Sequence, residues 1–159
     1  MDAEVLQRIA VVVAMPAKRN ERAQTAADLI RDGTAHRWVG IYTVTDSSVV
    51  NEAWSGPAAP AFPTFSRECG LTAHALRARA PALSNDVAND LRYLANQDDS
   101  GSELILPVVR DGQVVGTLDV ESDEVGAFDG ASVADLECCA RALAGLWNQV
   151  GASRATSPP

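Results

Sequence analysis

The spacing of apolar positions changes repeatedly along the chain, and each change marks an element. Residues 3–15 (AEVLQRIAVVVAM) set Val5, Leu6, Ile9, Val12 and Val13 along one broad stripe at helical spacing, and Pro16 ends the run. NERAQTAADLIRD (20–32) predicts a second helix stopped by Gly33. The period then drops to two. In RWVGIYTV, Trp38, Gly40 and Tyr42 alternate against Val39, Ile41 and Thr43, and SVVNEAW follows a DSS turn, so 37–54 is expected to form a hairpin. Three prolines between 56 and 68 make that stretch a loop. Helical spacing returns in GLTAHALRARA (70–80), with Ser66 or a neighbour as its cap and Pro81 as its stop.

PALSNDV reads as a short strand, and NDLRYLANQDDSGS as a polar excursion of 14 residues, a length that in compact domains often covers a site. ELILPVV and QVVGTLDVES are two strands separated by RDG. A last helix begins near Asp129 and carries Val133, Leu136, Ala140, Leu143, Trp147 and Val150 on one face. This order predicts one α+β domain over 1–150 with an antiparallel sheet, residues 1–18 holding the N-terminal helix and 151–159 (GASRATSPP) a disordered tail.

The last two strands raise a chemical question. In GTLDVES, Asp119 and Glu121 project to one face while Leu118 and Val120 project to the other. A two-residue turn of Asp111 and Gly112 alone would set Leu104 opposite Asp119 and mix core with charge. A three-residue loop, Arg110 to Gly112 with Gly112 left-handed, pairs Leu104, Leu106 and Val108 with Leu118, Gly116 and Val114. That register sets Glu103 opposite Asp119, so Glu103, Asp119 and Glu121 share one patch. Opposed like charges destabilise a sheet and raise each other's pKa unless a cation or solvent intervenes. If the strand carrying Trp38 and Tyr42 lies alongside, the patch becomes a carboxylate cluster walled by aromatics, suited to an ammonium group. Spacing alone favours a plainer alternative, in which the acids simply face water.

Composition narrows the classes. The chain has 159 residues, 47% of them hydrophobic, and a net charge of −8, which suits a compact domain and argues against nucleic acid as a partner. Three cysteines, two of them adjacent at 138 and 139, suit a reducing cytoplasm rather than a disulfide framework. The run IAVVVAM is too short to cross a membrane and is preceded by Asp2 and Glu4 rather than basic residues, so neither a signal peptide nor membrane attachment is expected. His36 and His74 show no ligand spacing with each other or with cysteine, so no metal or other cofactor is expected.

RWVGIY, SELILPVVRDGQVVGTLDVES and FDGASVADLE together resemble a GAF domain, within it the free methionine-(R)-sulfoxide reductase branch, over roughly residues 20–147. The resemblance implies a six-stranded antiparallel sheet with the N- and C-terminal helices packed on one face and a ligand pocket on the other. It also implies that Trp38, Tyr42, Glu103, Asp119 and Glu121 hold the ligand's amino-acid head. The branch commonly has Asp where Glu121 stands. Its three redox cysteines correspond to Pro60, Gly70 and Asn96, so reductase chemistry does not carry over by direct alignment. A one-residue shift would instead align Cys69 with the helix-start cysteine, yet a reductase also needs a resolving thiol, and none lies near in sequence.

Three functions remain open. The first is a standalone sensor module binding a small amine or amino-acid-like molecule without redox chemistry. The second is a divergent reductase using Cys69, and the third a dimerisation module with a vestigial pocket, paired through its terminal helices.

Overall fold

The computed structural model describes residues 2–94 and 99–148; the expected tail at 151–159, Val150 and Asn96 lie outside them. Helix α1 spans Ala3–Ala14, and Asp2 caps it by accepting the Glu4 N–H at 3.0 Å. Helix α2 spans Arg19–Thr34. It runs through Gly33 rather than stopping there, because a helical glycine costs only about 1 kcal/mol and Ala26, Ala27 and Ile30 bury that last stretch. The stop is Ala35, left-handed at φ 57°, whose N–H closes on the Arg31 carbonyl at 2.9 Å.

Strands β1 (Trp38–Val44) and β2 (Ser48–Ser55) form the expected hairpin. The proline-rich segment is not all loop. Thr64–Ser66 forms a short β3 on β2, and Ser66 lies too early to cap the next helix. That helix, α3 (Gly70–Ala78), has Cys69 at its N-cap and ends with Arg79 left-handed at φ 52°, two residues before Pro81. Then come β4 (Ala82–Ser84), a single 3-10 turn at Val87–Asn89, β5 (Ser102–Arg110), β6 (Gln113–Ser122) and α4 (Gly130–Leu143), extended by a 3-10 turn at Ala144–Trp147. The six strands pair antiparallel in the order β3-β2-β1-β6-β5-β4. No helix among the described residues is long and apolar enough to cross a membrane.

The β5–β6 register corrects the sequence reading. Asp111 and Gly112 form a two-residue turn, both at positive φ (49° and 75°), with Arg110 opposite Gln113. A bulge then absorbs Val115 between the Val109–Val114 and Val108–Gly116 pairs. Beyond it Leu106 faces Leu118, Leu104 faces Val120, and Glu103 faces Glu121 rather than Asp119, whose partner is Ile105. The bulge adds the one residue that the longer loop was expected to supply. The apolar and acidic faces therefore stay separate although each pairing moves by two.

The apolar face carries Val39, Ile41, Leu104, Leu106, Val108, Leu118 and Val120, all buried against α2 and α4, with Ile9 and Val13 of α1 completing the core from outside. α3 packs on the opposite face, where Leu71 and Ala75 meet Ala82 and Ile105. Trp147 closes the end of the core by lying against Gly116, where an added Cβ would stand 2.4 Å from its Cζ2 and 2.5 Å from the Tyr42 carbonyl. Its Nε1 donates to Thr43 Oγ1 at 3.1 Å. Gly116→Ala is therefore expected to destabilise the protein by about 1–3 kcal/mol in urea unfolding, with the m-value unchanged. A neutral result would show that the indole can move aside without loss.

Candidate ligand-binding site

The acidic face is assembled from cross-strand neighbours. Trp38 stands opposite Glu121, Gly40 opposite Asp119 and Tyr42 opposite Thr117, while Glu103 lies between Glu121 and Ser84. These positions share a face because each pair keeps the period of two.

The WVGIY sequence has a local packing reason. The Trp38 indole folds across Gly40, where a Cβ would meet its Cη2 at 2.3 Å and Tyr42 Cε2 at 2.8 Å, and across Gly56, where a Cβ would meet its Cδ1 at 2.4 Å. Its Nε1 donates to the Ala58 carbonyl at 3.0 Å, so the ring is fully buried with its one polar atom satisfied. Tyr42 follows at 6.5 Å between ring centroids, and Phe65 meets Tyr42 edge-on at 5.8 Å.

Tyr42, Glu103 and Asp119 form the sheet side of a small hollow. Phe62 and Phe65 from around β3, Gly70, Leu71 and Thr72 from the start of α3, and Leu94 from the polar excursion complete its lining. It encloses about 20 Å³, room for one or two waters. A larger guest must displace part of the lining, and Phe62, 43% exposed, is a side chain with space to move.

Trp38 and Glu121, though on the same face, do not line this hollow. Glu121 is fully buried, and its Oε2 accepts hydrogen bonds from Ser100 Oγ and, at 3.4 Å, from Tyr93 OH. The structure therefore separates the five expected residues: Tyr42, Glu103 and Asp119 touch the space, Trp38 supports Tyr42, and Glu121 fastens both sides of the excursion to the sheet.

The acids are poorly compensated. Asp119 is nearly buried and its Oδ1 finds no hydrogen-bond partner among the described residues. Burial raises its pKa to about 7; the neighbouring Thr117 hydroxyl opposes the rise and Glu121 adds to it. Glu103 is also nearly buried, and burial followed by Glu121, Asp119 and Asp90 pushes its carboxyl well above the ordinary range. Asp90 itself stays ionised, because Arg92 binds it at 2.6 Å. Burial and the same acids hold the Tyr42 phenol protonated. Among the described residues no group of three or more His, Cys, Asp or Glu side chains is placed to hold a metal ion.

Cys69 is exposed at the start of α3, one residue from the hollow's lining. Cys138 and the buried Cys139 belong to α4, which packs behind the opposite face, so the sheet stands between them and Cys69. Sequence reasoning missed Phe62, Phe65, Leu71, Thr72 and Leu94. A signal existed for the first two: of three phenylalanines in the chain, two fall in the proline-rich stretch, where a purely solvated loop has no use for them.

Residues 17–144 match the sequence pattern of the GAF domain. The chain belongs to the GAF domain family. GAF domain-containing protein A of Dictyostelium discoideum is 32% identical over 93 residues, which are 58% of this chain and 58% of that protein, so the match spans well under two thirds of the relative's length. Among solved structures, free methionine-R-sulfoxide reductase from Neisseria meningitidis, in complex with its substrate, superposes with a TM-score of 0.80 at 26% identity, covering 90% of this chain and 86% of that one. The type II enzyme from Thermoplasma acidophilum gives 0.76 at 26% identity, covering 80% and 91%. The GAF domain of an Acinetobacter phosphoenolpyruvate-protein phosphotransferase gives 0.78 at 16% identity over 92% and 93%, a likeness of fold.

The buried acids of this GAF domain make its stability depend on pH. A carboxyl that is held protonated in the fold, but ionises in the unfolded chain at its ordinary value of 3.8, contributes stability that is lost as pH rises through the folded value of about 7. Asp119→Asn keeps the neutral shape and removes this loss. The variant is expected to match the wild type only below about pH 3.8 and to gain on it steadily up to about pH 7, by up to a few kcal/mol in unfolding experiments. A difference that stays constant across that range would contradict the assignment.

Proposed function

We propose that this GAF domain captures a small amine or amino-acid-like molecule as a sensor or regulatory module, without redox turnover. One observation carries the reading: Tyr42, Glu103 and Asp119 line one hollow, and Asp119 presents a buried carboxylate oxygen with no partner. A group so placed costs free energy until a donor or cation reaches it. An ammonium supplies both, and the faces of Tyr42, Phe62 and Phe65 favour a cation as well as the apolar part of an amino acid. The likeness to two free methionine-R-sulfoxide reductases, one holding its substrate, supports an amino-acid-like guest.

The absence of turnover rests on the thiols. Pro60 and Gly70 stand where the resemblance places redox cysteines, and the other two cysteines lie across the sheet from Cys69. A thiolate that attacks a sulfoxide needs a second thiol to release it. The exposed position of Cys69 beside the lining favours the reductase alternative, so both are tested together.

Thermal-shift and calorimetric titration with free amino acids, methionine-(R)-sulfoxide included, is expected to show binding that Asp119→Asn weakens at least tenfold and Cys69→Ser leaves unchanged. A thioredoxin-coupled assay with the sulfoxide is expected to show no turnover. Sulfoxide reduction that disappears in Cys69→Ser would replace this reading with the enzymatic one.

A second copy of the chain is the further partner we propose, through α1. Val11 and Met15 are 60% and 50% exposed there, beside a groove lined by Arg8, Val12, Thr25 and Leu29. Asp2 and Glu4 precede this patch and Lys18 and Arg19 follow it, so antiparallel pairing about Val11 sets acid against base at both ends. Light scattering is expected to give a dimer for the wild type and a monomer for Val11→Glu. A monomeric wild type removes the proposal.

A further inference from the structure

Glu103 and Asp119 lie diagonally across β5 and β6, with Glu121 opposite the first and two residues beyond the second. Both face the hollow, both are nearly buried, and neither pairs with a Lys, Arg or His side chain among the described residues. β1 brings Tyr42, and the excursion brings Asp90, already matched by Arg92, and Tyr93, bonded to Glu121. α3 brings Cys69 and His74, both exposed. Among the described residues no cationic side chain pairs with Glu103 or Asp119.

We propose that the hollow exchanges a proton for its guest: the empty site keeps a proton on the Glu103–Asp119 pair, and an entering ammonium expels it. This deepens the amine reading above and rests on it. The physical cause is that a buried carboxylate without a counter-charge is too costly to keep ionised, so the protein takes up a proton from water instead. Two carboxyls on one patch share that burden, and the proton belongs to the pair rather than to either residue. An ammonium brings the missing positive charge. The pair then ionises, the proton leaves to solvent, and the net charge of the site stays constant through the exchange. Capture thereby strengthens with rising pH around neutrality, a range in which a simple ion pair with a solvated acid, already formed at about pH 5, is insensitive to pH.

The test uses L-methionine and its decarboxylated amine, 3-(methylthio)propylamine, as probes with the full chain. Calorimetric titration in two buffers of different ionisation enthalpy is expected to show release of about one proton for each probe bound near pH 6, with affinity increasing about tenfold per pH unit as pH is raised toward the site's midpoint and levelling off above it. Infrared difference spectra on adding probe are expected to lose a protonated-carboxyl band that Asp119→Asn, or Glu103→Gln if the first variant misfolds, lacks or shifts. Binding with identical heats in both buffers and flat pH dependence overturns the exchange while leaving the amine reading standing. Failure of both probes and of every free amino acid to bind overturns the amine reading and the exchange together.

Discussion

The two sides of the β5–β6 pair must stay in phase, and most of the molecule follows from that constraint. One side gives Leu104, Leu106, Val108, Leu118 and Val120 to the helix-covered core, and the other gives Glu103, Asp119 and Glu121 to the opposite face. A slip of one residue between the two strands would set Leu104 opposite Asp119 and mix aliphatics with acids on both faces. The Asp111–Gly112 turn alone would impose that slip. The bulge at Val115 cancels it, so a single extra residue near the hairpin end keeps the core dry and the site acidic.

The pocket side is built around absence of bulk as much as around charge. Gly40 and Gly56 give up their side-chain space to the Trp38 indole, and the indole in turn props Tyr42 toward Phe65 and the hollow. The acids then stand on β5 and β6 at positions nearly closed to water, which screens them little. Order in the aromatic wall and electrostatic tension in the acidic floor come from the same few strand positions.

Much of this was legible in the sequence, for reasons that differ between residues. Alternation is local, so the faces of Trp38, Tyr42, Glu103, Asp119 and Glu121 could be read directly, and the resemblance added the strand neighbours. The pairing of Glu103 could not. A shift of two residues preserves every apolar-to-apolar match, leaving the hydrophobic pattern blind to it, and a bulge is visible only in the paired state. The end of α2 was hidden because packing of Ile30 outweighs the weak helix preference of Gly33. β3 has three residues, too few to carry a period, so Phe65 revealed its place only through its edge contact with Tyr42. Glu121 shows the limit of motif reasoning: its side chain shares the face of Glu103 and Asp119, yet it lies outside the hollow's lining and its oxygen accepts from Ser100 and Tyr93.

On the far side of the sheet, Arg22 of α2 is buried, and its two terminal nitrogens donate to the carbonyls of Val13, at the end of α1, and Leu146, at 3.3 Å in the last 3-10 turn. The first and last described elements are thus riveted to α2 through one guanidinium, each using carbonyls that a helix end leaves unsatisfied. Neither can peel away without stranding a buried cation on the other. The two ends of the fold therefore share one grip on α2, while Trp147, one residue beyond Leu146, ties the same C-terminal turn directly to the sheet through Thr43 and Gly116.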